Sequence, residues 1–142
     1  MKKFFLLSMF VSMALTALNA QEVTTSEEVL DGPKISFSEQ EHNYGTLQKG
    51  GDGNCEFVFT NNGNEPLILS NVKASCGCTV PTWTKEPIMP GKTGSIKVRY
   101  NTNNVGAFTK TITVSSNAID TPKLTLKIRG KVVQPETPQV AQ

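Results

Sequence analysis

Charge, histidine and cysteine are all scarce in this chain of 142 residues. Only 18% of the residues are charged, which argues against a disordered or nucleic-acid-binding polypeptide. His42 is the single histidine, and no G-x-S-x-G elbow or Gly-rich phosphate loop accompanies it, so hydrolytic and phosphoryl-transfer chemistry have no constellation to work with. Three cysteines are too few for a disulfide-dense mini-protein, and the odd number leaves at least one unpaired within the chain. Glycine (11) and proline (8) are too sparse for a collagen-like repeat and serve instead as turn punctuation. No segment sustains a helical period, and no internal repeat or low-complexity block occurs.

The N-terminus reads as a targeting segment. Lys2 and Lys3 precede an apolar run from Phe4 to Leu18, and Leu18-Asn19-Ala20 offers a small residue before a cut. The run is about 15 residues, short of the roughly 20 that span a bilayer. The expected product starts at Gln21, with no cysteine at the cut for a lipid anchor and no membrane span. Export to the periplasm or the extracellular space follows as the expected localisation. Loss of Lys2 and Lys3 reduces 14 basic residues to 12, against 12 acidic ones. The mature chain is then close to neutral, so no basic patch for nucleic acid or anionic lipid is expected.

Residues 21–33 are polar and acidic and read as a flexible leader, and residues 134–142, with Pro135 and Pro138, as a flexible tail. Between them, residues 34–133 are patterned with period two. Ile35 and Phe37, then Cys55, Phe57 and Phe59, then Ile96, Val98 and Tyr100 each alternate with outward positions. Ile112 and Val114, and Leu124, Leu126 and Ile128, do the same, and Leu67 to Val72 forms a further run. Such alternation means one buried and one wet face per strand, as in antiparallel sheets. Asn61-Asn62-Gly63-Asn64 is expected to close a hairpin, and Pro90-Gly91 to Gly94 to form a turn. The spacing predicts an all-β, immunoglobulin-like antiparallel sandwich of about seven strands.

Cys76-Gly77-Cys78 is the most distinctive local feature. Three readings compete. One cysteine of the pair bonds to Cys55, closing about 20 residues and stabilising by about 3 kcal/mol. Alternatively the pair bonds to itself in a small, reducible ring. In the third reading both remain thiols and hold a soft metal such as Cu(I) or Zn²⁺, with Cys55, His42 and Met89 as the further ligands on offer. A zinc site normally shows two spaced pairs, and only one is present, so no metal or other cofactor is expected. Redox enzymes favour C-x-x-C at a helix N-terminus, which an all-β chain does not supply, so the chain is read as no enzyme. Trp83 is expected to cap the sandwich beside the cysteine loop or to touch a ligand, and Tyr44, Tyr100 and Phe108 have the same two readings, with packing favoured.

The motifs Tyr44-Gly45, Phe57 to Gly63, Pro66-Leu67-Ile68 and Ser75-Cys76-Gly77-Cys78-Thr79 resemble those of the bacterial family called domain of unknown function 1573. Pro87 to Gly91, Gly94-Ser95-Ile96, Tyr100-Asn101-Thr102, Gly106-Ala107-Phe108, Val114 to Asn117 and Ile128 to Val132 extend the resemblance over residues 35–133. It implies an immunoglobulin-like fold related to ASPM–SPD-2–Hydin and major-sperm-protein domains, export in a Gram-negative host, and no settled activity. The cysteine string is typical of that family, whereas Cys55 stands outside its pattern. The expected role is a non-catalytic module that binds another envelope or secreted protein, at an open sheet edge for instance. The alternative is a thiol site at Cys76 and Cys78. Nothing in the sequence sets the oligomeric state.

Overall fold

The computed structural model describes residues 31–136. The signal-peptide expectation, most of the leader and residues 137–142 fall outside them. The chain forms β1 (Ile35–Phe37), β2 (Glu41–Gln48), β3 (Asn54–Asn61), β4 (Leu69–Ala74), β5 (Thr79–Trp83), β6 (Thr93–Tyr100), β7 (Gly106–Ser116) and β8 (Lys123–Val133). Two four-stranded sheets result, ordered β1-β3-β6-β5 and β2-β8-β7-β4. This is the expected all-β, immunoglobulin-like sandwich. The described residues form eight strands, close to the expected number of about seven, and β2 runs parallel to β8 in an otherwise antiparallel pairing.

The alternating residues face inward as their period requires. Phe57, Phe59, Ile96 and Val98 from one sheet meet Ile112, Val114, Leu126 and Ile128 from the other, all essentially without solvent contact. Each such side chain contributes roughly 1.5–3 kcal/mol through burial. Leu67 lies just before β4, held by an isolated bridge to Ile88.

Asn61 corrects an expectation. The Asn61–Asn64 segment is not a hairpin turn, because β3 and β4 belong to different sheets. Asn61 is fully buried, and its side chain bonds on both sides. Nδ2 donates to Glu65 O (2.7 Å) and Ile88 O (2.8 Å), while Oδ1 accepts from Gly63 N (2.9 Å) and Lys34 N (3.3 Å). One side chain thus ties the start of β1, the crossover between sheets and the β5–β6 connection. The neighbouring residues Asp31–Pro33, read in the sequence as the end of the leader, are tied to the same crossover and to the β7–β8 connection. Gly32 N donates to Asn64 Oδ1 (2.7 Å), and Ile119 N donates to Pro33 O (2.9 Å).

Candidate functional site

The β2–β3, β4–β5 and β6–β7 connections all emerge at one end of the sandwich, where β8 also finishes. Together they enclose a groove of about 640 Å³, bounded by Gly50–Asn54, Gly77 and Cys78, and Arg99–Asn103. Its walls are built by tight backbone contacts. Gly53 O accepts from Tyr100 N (2.8 Å) and from Tyr44 Oη (2.7 Å). A Cβ on Gly53 would collide with Tyr100 O, so this position takes glycine. Thr102 is buried and its hydroxyl donates to Gly51 O (2.7 Å).

An aromatic row underlies this end. Tyr100 stacks on Phe108 with ring centroids 3.7 Å apart, Phe108 meets Tyr44 at 5.9 Å, and His42 sits edge-on to Tyr44 at 4.6 Å. Tyr44, Tyr100 and Phe108 therefore pack, as expected. Burial is the main reason the Tyr44 hydroxyl titrates far above its ordinary value, and its hydrogen bond with Cys55 adds to the shift. Burial likewise pushes the Cys55 thiol up, partly offset by that bond.

The cysteine loop lies on the groove. The Sγ atoms of Cys76 and Cys78 are adjacent, with Cα atoms 5.3 Å apart. The hydroxyl of Thr79, a buried residue, approaches both sulfurs, at 3.8 Å from Cys76 and 3.9 Å from Cys78. Gly77 is exposed, with no atom within 4 Å of where a Cβ would stand.

Cys55 is not brought to the pair, which corrects the first of the three readings. It sits opposite Val98 on β6, and Val98 sits opposite Pro81 on β5. Two strand spacings and the three residues from Pro81 to Cys78 place the Cα atoms about 14 Å apart, about twice the reach of a disulfide. The metal reading meets a similar separation. Met89 belongs to the β5–β6 connection at the far end, and His42 Nδ1 lies 3.5 Å from Glu39 Oε1. Trp83 closes β5 away from the cysteine loop, under the Lys85 ammonium 3.0 Å from its ring centroid. The groove walls at Gly50–Asn54 and Arg99 did not stand out in the sequence, although the run Gly50-Gly51-Asp52-Gly53 was a visible turn signal.

A second surface contradicts the expectation that no basic patch remains. On the outer face of the β2-β8-β7-β4 sheet, the register aligns Lys73, Thr113 and Thr125; Asn71, Ser115 and Lys123; Glu41, Lys127 and Thr111; Asn43, Arg129 and Thr109; and Thr46, Lys131 and Ala107. Among the described residues, five basic side chains share this face with one acid, Glu41. That carboxylate pairs with Arg129 and, at 3.4 Å, with Lys127.

The sheet edges are poorly suited to an added strand. β1 has three residues. Asn101 N and Thr84 N donate to Cys78 O and Ser95 O, so these even-numbered residues of the β5 region face β6. The alternation turns Pro81, which has no N–H, to the open side. β2 carries a register shift between Asn43 and Thr46, with Gly45 at φ +66°, and β4 one between Leu69 and Asn71. Short edges, prolines and bulges all discourage strand addition.

A family model described as "Protein of unknown function (DUF1573)" matches residues 35–132. No curated protein matches the chain. Among solved structures, a protein of unknown function from Porphyromonas gingivalis W83 is similar at TM-score 0.63 and 15% identity, over 71% of this chain and 47% of that one. The human CEP192 ASH/PapD-like domain 7 is similar at TM-score 0.61 and 9% identity, over 72% and 87%. The YadV chaperone is similar at TM-score 0.53 and 15% identity, over 70% and 52%. The chain thus spans about half the length of the P. gingivalis protein and of the chaperone. At these identities the likeness is one of fold.

Proposed function

The chain belongs to the DUF1573 family, and from that premise we propose that it is an exported, non-catalytic immunoglobulin-like module that binds an acidic envelope or secreted protein through the outer face of its β2-β8-β7-β4 sheet. The carrying observation is the collection of Lys73, Lys123, Lys127, Arg129 and Lys131 on that one face. The blocked edges argue against strand addition and favour a face-on contact. Threonine, serine and asparagine fill the positions between the cations, so the surface offers hydrogen bonds as well as charge. The likeness to a chaperone fold supports a protein-binding role. Signal-peptide features at residues 1–20 support export.

The test uses the mature protein and its Lys127→Glu/Lys131→Glu variant as paired baits in envelope extract. The reading requires a defined acidic protein recovered by the wild type, lost by the variant, and released when salt rises well above ~0.15 M. Equal recovery by both baits overturns it. Sedimentation of the wild type with phosphatidylglycerol vesicles, with no protein recovered, would instead identify a lipid surface as the partner and equally overturn it.

A further inference from the structure

We propose that the Cys76/Cys78 pair is a thiol–disulfide exchange site, with a cysteine-bearing polypeptide segment in the neighbouring groove as its substrate. The inference goes beyond the binding role and does not rest on it. A bond between these two cysteines encloses Gly77 alone and joins no two strands. Stabilisation by a disulfide grows with the loop it closes, so this one can add little to the fold. Stability does not account for it, whereas exchange does. Cys76 and Cys78 are half-buried rather than sealed in the core, and a disulfide that solvent reaches is open to exchange.

The surroundings suit the reaction. Exposed Gly77 leaves one approach to the sulfurs open, and Cys78 forms part of the groove wall. The groove of about 640 Å³ has room for several side chains of an extended segment. Its Gly50–Gly53 rim presents main chain, and Arg99 supplies a cation to attract a thiolate. Thr79 Oγ1, near both sulfurs, can donate to whichever one departs.

In the oxidised protein a substrate thiolate attacks one sulfur of the pair. The Cys76–Cys78 bond breaks, an intermolecular disulfide forms, and the other cysteine leaves as a thiolate. A second substrate thiolate then attacks the substrate sulfur of that mixed disulfide. The substrate becomes a disulfide and the pair a dithiol, so two electrons pass to the protein and the two protons of the substrate thiols end, by way of solvent, on Cys76 and Cys78.

The test compares the purified mature protein, its Cys76→Ser/Cys78→Ser and Asn101→Trp variants, and a free Cys-Gly-Cys disulfide peptide. The probes are glutathione and a reduced dithiol peptide, with products read by alkylation and mass spectrometry. The protein is expected to oxidise the dithiol peptide at least about tenfold faster than the free disulfide does. Asn101→Trp, which fills the groove, should slow the peptide reaction by a larger factor than that with glutathione. The double serine variant should be inactive and unfold within a few degrees of the wild type. A pair that resists about 10 mM glutathione, a rate no better than the free peptide's, or a large loss of thermal stability in the serine variant overturns the proposal. The Lys127→Glu/Lys131→Glu protein should exchange normally, so this result and that of the binding test fail separately.

Discussion

Two polar side chains illustrate how much a single residue can hold in this sandwich. Asn61 uses both donors and its acceptor on buried or half-buried backbone. Asn61→Ala removes those bonds together and leaves Ile88 O with Leu67 N as its remaining partner, so urea unfolding should show a loss of about 3 kcal/mol. A conservative Asn61→Asp should not rescue it, because a carboxylate cannot donate to Glu65 O and Ile88 O. Tyr44 gives a pH-dependent case. Burial raises the titration of both Tyr44 and Cys55, so the folded state favours their neutral forms. Their contribution is fully present below the ordinary thiol and phenol values of about 8.5 and 10, and is lost as pH climbs past them. Stability should therefore fall above about pH 9 in the wild type, and Tyr44→Phe should flatten that fall at a cost of about 1 kcal/mol at neutral pH. Alkylation of Cys55 at neutral pH should be slower than that of a free cysteine.

At the scale of elements, period two was enough to find β3, β6, β7 and β8, because their inward residues are large and apolar. It failed for β2 and β5. β2 reads Glu-His-Asn-Tyr-Gly-Thr-Leu-Gln, and Gly45 at positive φ interrupts its alternation at the register shift. β5 contains Pro81, which reads as a strand breaker and is tolerated here because the position is on an edge. The cysteine loop was legible as a motif, but its exclusion of Cys55 was not, since that depends on β6 lying between β3 and β5. The groove was hidden for the same reason: it joins three connections far apart in sequence. Pro81 also yields a prediction. Pro81→Val restores an outward N–H between exposed Val80 and Thr82 and opens the edge. Light scattering should then show concentration-dependent self-association that the wild type lacks, with monomer stability changed by less than about 1 kcal/mol.

At the scale of the whole molecule, a charge total conceals a distribution. Residues 21–142 balance 12 basic against 12 acidic residues, yet Glu22, Glu27 and Glu28 fall in the segment before Asp31. From Asp31 onward the chain carries 12 basic and only nine acidic side chains up to Gln142. The strand register then places five of the basic ones on a single face, where Glu41 is the only compensating acid among the described residues. Its ion pairs with Arg129 and Lys127 are at the surface and contribute little to stability, so removing these cations should leave unfolding nearly unchanged. Retention on an ion exchanger responds to the local field rather than the total. A protein of residues 21–142 should therefore bind a cation exchanger at pH 7.5 in low salt despite its neutral sum. Lys127→Glu/Lys131→Glu should elute in the unbound fraction with the same unfolding midpoint. Lys34→Glu/Lys92→Glu changes the total by the same amount at the opposite end of the sandwich and should still be retained. Equal elution of the two double variants would mean that total charge, and not the β2-β8-β7-β4 face, governs how this molecule meets other surfaces.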